Sequence, residues 1–480
     1  MKSFLTLLIL ILFVFPSVSF TQQKKEKLFD SYIEEYIKNK KVPSISTGVL
    51  RDNKIIWLGA KGLINLENAD SANVNSLYRI ASITKPITAV AIMQLYEKGL
   101  INIDEDVRKY VPSFPAKKWK LSIRQLLNHT SGVRNYKDGE FHSKKFYSNS
   151  IEAIKIFAYD SLLFEPGTKF EYTSLGYSLL AAVIENVTNK SFEEYLTNNI
   201  FIPSGMKYTQ VDKQRKIISN RVKGYEKGPD RNFENAPLAD LSIKIAGGGI
   251  ISTAEDLLLF AKAILDEKLL KRSSLDLMFT KSKLKSGRLL GYGLGFDLLF
   301  SNDSLKAIAH SGGGTGFSGR LLIYPKQKLA TVNLINIIDR NLGVPSEDLA
   351  KIELEIKVNT PAKTLSDDLM TTYLSAGIDS AISVYKQIYQ YQTVFYTLNE
   401  NESIYFAKDL LEMDKATDAI KYLKLILNKY PRSFDSEITI ADAYVQDQNK
   451  GLALKHYRQA FQINPNDSKV NRIIKQLSKK

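Results

Sequence analysis

Ser82 and Lys85 stand three residues apart in Ser82-Ile83-Thr84-Lys85, a spacing that brings a hydroxyl and an amine together on one face only where the chain is helical. The residues that follow predict that helix. Val90, Met93 and Tyr96, with Ile92 and Leu95, recur at helical spacing, and Gly99 offers a left-handed stop. Ser82 then falls at the amino end, where free N–H groups and the helix dipole favour negative charge on its oxygen. Pro86 is tolerated in the first turn. The chemistry this predicts is a nucleophilic serine with a lysine beside it as proton acceptor. The same spacing occurs at Ser204/Lys207, Ser282/Lys285 and Ser383/Lys386, so the helix and further partners must single out Ser82.

Three other segments carry residues that could join it. In Phe164 to Tyr177 a Pro166-Gly167 turn leads to a short aromatic strand, and Tyr172 and Ser174, two apart on extended backbone, face the same way and could address one cleft. Ala246 to Glu255 sets three glycines against a helix start, with Ser252 and Glu255 spaced as a capping box. No G-K-[ST] follows, so the glycines predict close backbone packing beside a cleft or core rather than a phosphate loop. In His310-Ser311-Gly312-Gly313 the glycines let backbone approach a ligand, and free N–H groups there could serve an oxyanion. His129, in LLNHTSG, is expected to be a hydrogen-bonded structural residue.

The elements that must hold these residues are legible in order. Lys27 to Lys41 is an amphipathic helix ended by Pro43; Ser44–Leu50 and Lys54–Leu63 are strands joined by Arg51-Asp52-Asn53 at hairpin length. Ser122 caps a short helix, Tyr177 to Val187 forms an apolar helix, and Arg320–Tyr324 and Leu329–Ile335 are strands joined by Pro325 to Lys328. Beyond Asn359 the chain becomes helical. Ala419 to Pro431 matches Ala453 to Pro465 at an offset of 34 residues, the tetratricopeptide period, with Ala381 to Tyr385 as a degenerate copy.

Composition excludes several classes. The chain has 480 residues, 44% of them hydrophobic, enough for two or three packed domains. It has no cysteine and four scattered histidines, so disulfides, thiolate sites and histidine metal spacing are absent, and neither a metal nor a cofactor is expected. The net charge of +15 comes from lysines spread along the chain without a dense basic block, which predicts a basic exterior and no nucleic-acid partner. Residues 1–20 show a lysine, an apolar run from Phe4 to Phe15 broken only by Thr6, a proline and small residues at Ser17 and Ser19. That is the layout of a secretory signal peptide and short for a bilayer span. The expectation is an exported protein, periplasmic or extracellular, with no stable membrane span after cleavage; an uncleaved amino-terminal anchor is the alternative.

Taken together, S-I-T-K at 82, LLNHTSG at 126, EYTSLGY at 171, AGGGIISTAEDL at 246, YGLGFDLL at 292 and HSGG at 310 resemble the serine β-lactamase and penicillin-binding-protein superfamily, in particular its class C-like branch of carboxypeptidases, aminopeptidases and esterases. The resemblance spans roughly residues 28–345. It implies an α+β fold, an antiparallel sheet flanked by helices, followed by a small all-α tetratricopeptide-like domain. The expected division is a signal peptide (1–20), a hydrolase domain (21–355), a linker (356–366) and helical repeats (367–480). By position the resemblance makes Ser82 the acylated nucleophile, Lys85 its partner and Tyr172 the base or proton shuttle, with Ser174, His310, Ser311, Gly312 and Gly313 around the substrate and the N–H groups of Ser82 and Gly313 as oxyanion donors. Whether Lys85 or Tyr172 is the base stays open. A phenolate at pH 7 requires lowering tyrosine from about 10, which takes roughly 4 kcal/mol.

Two departures bear on substrate. Ser174 stands where many relatives have asparagine, and His310-Ser311-Gly312 replaces K-T-G, so a fixed cation for a substrate carboxylate is lost. The resemblance thus implies an esterase or a D-amino-acid-type peptidase on small-molecule or peptide acyl substrates, cell-wall-derived ones among them, and at most a weak β-lactamase. The alternative is a catalytically weak penicillin-binding or scaffold protein that meets a protein partner through its repeats.

Overall fold

The computed structural model describes residues 22–300, 305–391 and 393–478; the segment read as a signal peptide lies outside them. Its centre is a seven-stranded antiparallel sheet. In chain order the strands are β1 (Ser44–Arg51), β2 (Lys54–Asn65), β3 (Asp70–Ser71), β4 (Asp297–Phe300), β5 (Lys306–Gly314), β6 (Phe317–Tyr324) and β7 (Leu329–Ile335). Their order across the sheet is β3-β2-β1-β7-β6-β5-β4, with Thr47 opposite Asn333 and Gly312 opposite Gly319. The β1–β2 turn places both Asp52 (φ 47°) and Asn53 (φ 63°) in the left-handed region, which a two-residue hairpin of matching twist requires.

Alternation along the strands feeds two cores. Leu322, Tyr324, Leu329 and Ile335 face α1 (residues 22–40) and α5 (Pro345–Glu353), packing with Phe29, Ile33, Tyr36 and Leu349. Leu321, Ile323, Val332 and Leu334 face the other way, into the larger core with α2 (Thr84–Glu97), α3 (Leu175–Thr188) and α4 (Ala254–Leu265). Every residue of α2 from Thr84 to Leu95 is buried. The expected apolar stripe is therefore part of a helix enclosed on all sides, as a helix with little polar surface must be.

Two local expectations are corrected. The segment Thr168–Tyr172 has no strand partner and runs as extended loop, because a lone aromatic stretch has no ladder to join. The cap of α4 is Thr253, which accepts from Asp256 N–H at 3.1 Å, while Ser252 belongs to the preceding strand and bonds the Thr209 hydroxyl at 2.7 Å.

The carboxy-terminal helices have their own core of Leu369, Tyr385, Phe406, Tyr422, Ile440 and Tyr457. Their first helix starts at Leu365, inside the stretch read as a linker, and Gly377 (φ 77°) kinks it. Helices Ala416–Lys429 and Lys450–Ile463 begin 34 residues apart, with Ala419 and Ala453 fully buried. The helices meet the sheet body through buried charge. Asp367 takes Lys227 Nζ (2.7 Å) and Arg231 Nε (2.6 Å), and Asp339 takes the same two cations at 3.1 and 2.7 Å. Arg340 pairs with Asp409 beside them. No described helix is long and apolar enough to cross a membrane.

Candidate active site

Ser82 sits in a 3-10 turn, Ala81–Ile83, that runs directly into α2. Ala81 has φ 44°, a left-handed conformation that costs a non-glycine residue energy and persists only where the surroundings enforce it. One enforcer is β5: a Cβ on Gly312 would stand 2.2 Å from the Ile80 carbonyl oxygen, so glycine alone lets this strand press on the turn. Ser82, Tyr172, Ser174 and Gly313 line one pocket of about 210 Å³, walled further by Arg79, Asn135, Tyr136, Lys244 and Gly247.

Lys85, fully buried, directs Nζ at Ser82 Oγ (2.9 Å), Ser174 Oγ (3.0 Å) and the Gly247 carbonyl oxygen (2.8 Å). Gly247 allows this: a Cβ there would lie 3.0 Å from the Ser174 carbonyl oxygen. No carboxylate pairs with Lys85 among the described residues. Burial, and then the nearby Lys244, hold its pKa well below the ordinary lysine value. Three acceptors and the rings of Tyr172 (4.8 Å) and Tyr177 (5.5 Å) suit an ammonium, whereas desolvation favours the amine. Two of the three partners are hydroxyls, so the same contacts serve the neutral form: Nζ donates to Gly247 and Ser174, and its lone pair receives the Ser82 O–H. With no counter-charge to offset burial, the amine is the favoured state.

Tyr172 shares the pocket with Ser82, and burial pushes its pKa up, not down, against the smaller opposing pull of Ser82. The phenolate considered from the sequence is disfavoured here. Its ring lies 4.2 Å from that of His129, which, with φ 59°, closes the short helix Ile123–Leu127. His129 is structural, as expected. Its Nδ1 accepts the Thr173 N–H at 3.2 Å, which leaves Nε2–H to donate to Tyr292 Oη at 3.3 Å. Tyr292 then donates to His310 Nε2 at 3.0 Å, and His310 Nδ1–H donates to the Ser311 carbonyl at 2.6 Å. One consistent set of tautomers thus links both histidines in the neutral form. Burial first, and Lys85 second, depress both, His310 to about 3.

Five of the eight residues expected at the site converge: Ser82, Lys85, Tyr172, Ser174 and Gly313. The other three stand outside the pocket lining. His310 is turned into the protein toward Tyr292, Gly312 backs the Ser82 turn, and Ser311 is exposed and accepts from Arg320 at 3.0 Å. Sequence reasoning missed Lys244, Asn135 and Tyr136 in the wall and Tyr292 behind it. Lys244 had a signal, a lysine between two isoleucines just before the glycine run.

Among the described residues no group of three or more His, Asp or Glu could hold a metal ion. A family model described as Beta-lactamase matches residues 29–352. Serine beta-lactamase-like protein LACTB, mitochondrial, of Bos taurus is 30% identical over 297 residues, covering 46% of this chain and 53% of its own. The chain thus spans about half the length of that relative. Penicillin-binding protein 4* of Bacillus subtilis is 28% identical over 298 residues, 59% of this chain and 65% of its own. The octameric penicillin-binding protein homologue from Pyrococcus abyssi shares the fold with a TM-score of 0.59 at 24% identity, covering 73% of this chain and 81% of that one.

Proposed function

The chain belongs to the β-lactamase family of serine hydrolases, and on that premise we propose that Ser82 is acylated by an ester or amide substrate and released by water, with Lys85 as the proton acceptor. The observation that carries this is the 2.9 Å contact between Ser82 Oγ and a fully buried Lys85 that lacks a counter-charge. As Oγ attacks the carbonyl carbon, its proton passes to Lys85 Nζ; Tyr172, a neutral phenol in the same pocket, relays a proton to the leaving group. The N–H groups of Ser82 and Gly313 receive the oxyanion. In deacylation the lysine amine draws a proton from water, and Ser82 is restored.

The substrate is small. A pocket of about 210 Å³ is below the roughly 300–1,000 Å³ of sites for drug-sized ligands. Short acyl esters and D-amino-acid-type amides suit it, cell-wall fragments among them. Efficient β-lactam turnover does not, because the pocket is small and the buried, neutral His310 puts no cation where the K-T-G lysine would stand. The amino-terminal pattern supports export to the periplasm or exterior, and the 34-residue helical offset supports a protein partner for the repeats. A second reading, a penicillin-binding protein that acylates and then deacylates slowly, is favoured by Ser174, whose hydroxyl is already engaged by Lys85.

Intact-mass spectrometry after a fluorophosphonate probe, with turnover of a short p-nitrophenyl ester, separates these. Hydrolysis and a mass increment that both vanish in Ser82→Ala support the hydrolase. A stable penicillin adduct without ester turnover favours the second reading, and labelling unaffected by Ser82→Ala contradicts both.

A further inference from the structure

The pocket's charge is one-sided. Of the side chains that line it, the charged ones are Arg79 and Lys244, and no carboxylate is among them. Arg79 is already committed, its Nε donating to Asp212 at 2.6 Å, and Asp212 also takes Arg221 at 2.8 Å. Lys244 differs. It is 5% exposed, stands 3.6 Å from the centre of the Phe141 ring and donates to the Phe141 carbonyl oxygen at 2.6 Å. No carboxylate pairs with it among the described residues. A lysine buried beside an arginine without an anion is an expensive arrangement, and burial, then Arg79, hold it down at about 7. Arg320, the cation next to Ser311, donates to that hydroxyl and lies outside the lining.

We propose that Lys244 is the specificity-determining residue for a carboxylate on the substrate, so that this hydrolase takes short acyl substrates that carry an anionic end. The inference rests on the Ser82 hydrolase reading. Lys244 and Ser82 share one small pocket, so a chain of a few atoms spans from the reacting carbonyl to the ammonium. The incoming carboxylate supplies the counter-charge the wall lacks, and a charge-assisted hydrogen bond in this desolvated place is among the stronger polar contacts. The role lost with the K-T-G lysine is thereby filled from a different element, the turn before the glycine run.

The test compares mono-p-nitrophenyl glutarate with p-nitrophenyl butyrate, whose acyl chains differ chiefly in the terminal carboxylate. The wild type is expected to favour the glutarate by about tenfold or more in kcat/KM, mainly through KM. In Lys244→Gln that ratio falls toward one, and Lys244→Arg recovers it. A wild-type ratio at or below one overturns the proposal, as does a ratio that Lys244→Gln leaves unchanged. Calorimetry with glutarate itself gives a readout independent of turnover: binding that weakens about tenfold in Lys244→Gln supports the site, and no binding to wild type overturns it. Glutarate bound through Lys244 by a protein that neither hydrolyses ester nor labels at Ser82 would keep the anion site and sink the hydrolase reading.

Discussion

Where the carboxy-terminal helices meet the sheet body, Lys227 and Arg231 lie buried between Asp339 and Asp367, each cation touching both carboxylates. In the pocket, Lys85 and Lys244 are equally buried and have no carboxylate partner among the described residues. The seam quartet is neutral as a set, and its crossed ion pairs fix how two packed units sit together. The pocket is not neutral, so its amines lean toward the uncharged state and are free to take up a proton or an anion. The same residue types at the same depth thus do different work, and pairing is what separates them.

Breaking each cluster should therefore damage different properties. The largest effect is expected from Lys85→Met, which removes the proton acceptor: ester turnover and fluorophosphonate labelling should fall by about 10²–10⁴-fold, while denaturant midpoints stay level or rise because an unpaired buried amine is gone. Next comes Asp367→Asn at the seam, which leaves Lys227 and Arg231 to share Asp339 and one buried positive charge in excess. It should cost about 3–5 kcal/mol in urea unfolding, with kcat per folded molecule retained. A seam variant that loses activity but not stability would erase the distinction.

The acidic side of the seam sharpens it through pH. Burial above all raises Glu402 to about 7 and Asp409 to about 6. A carboxyl raised in the fold holds its proton after the unfolded chain has released it. Its stabilising contribution is complete below the unfolded value of about 4 and is lost as pH rises through 6 to 7. Stability measured from pH 4.5 to 7 should decline, and Glu402→Gln should flatten part of that slope. The smallest effect belongs to Tyr292→Phe, which removes the hydroxyl between His129 and His310. A loss of about 1 kcal/mol is expected, read as a several-fold drop in kcat with KM nearly unchanged.

The relation of Ser82 to Lys85 is legible in sequence because it is local: three residues on one helix carry it. The same holds for β7, whose bounds follow from an apolar run between turn signals, and for the Asp52-Asn53 hairpin. Tyr172 and Ser174 are legible as a pair on extended backbone, but a strand was expected where no ladder exists, since pairing partners lie outside the segment. The α4 cap is displaced by one residue because Asp256 is claimed by backbone N–H groups from Lys207 to Thr209. His310 looks available in sequence and is turned inward by Tyr292. Lys244 and the seam quartet were not assembled, since their partners come from segments more than 100 residues apart.

The central claim is that Lys85 is a neutral base held against Ser82, and the pH dependence of fluorophosphonate labelling at Ser82 tests it most directly. The account predicts a rate that rises with pH along a limb lying well below the ordinary lysine value of about 10.4, and that this limb disappears in Lys85→Met. A wild-type rate that stays flat and climbs only near pH 10, or a limb that survives in Lys85→Met, would contradict it.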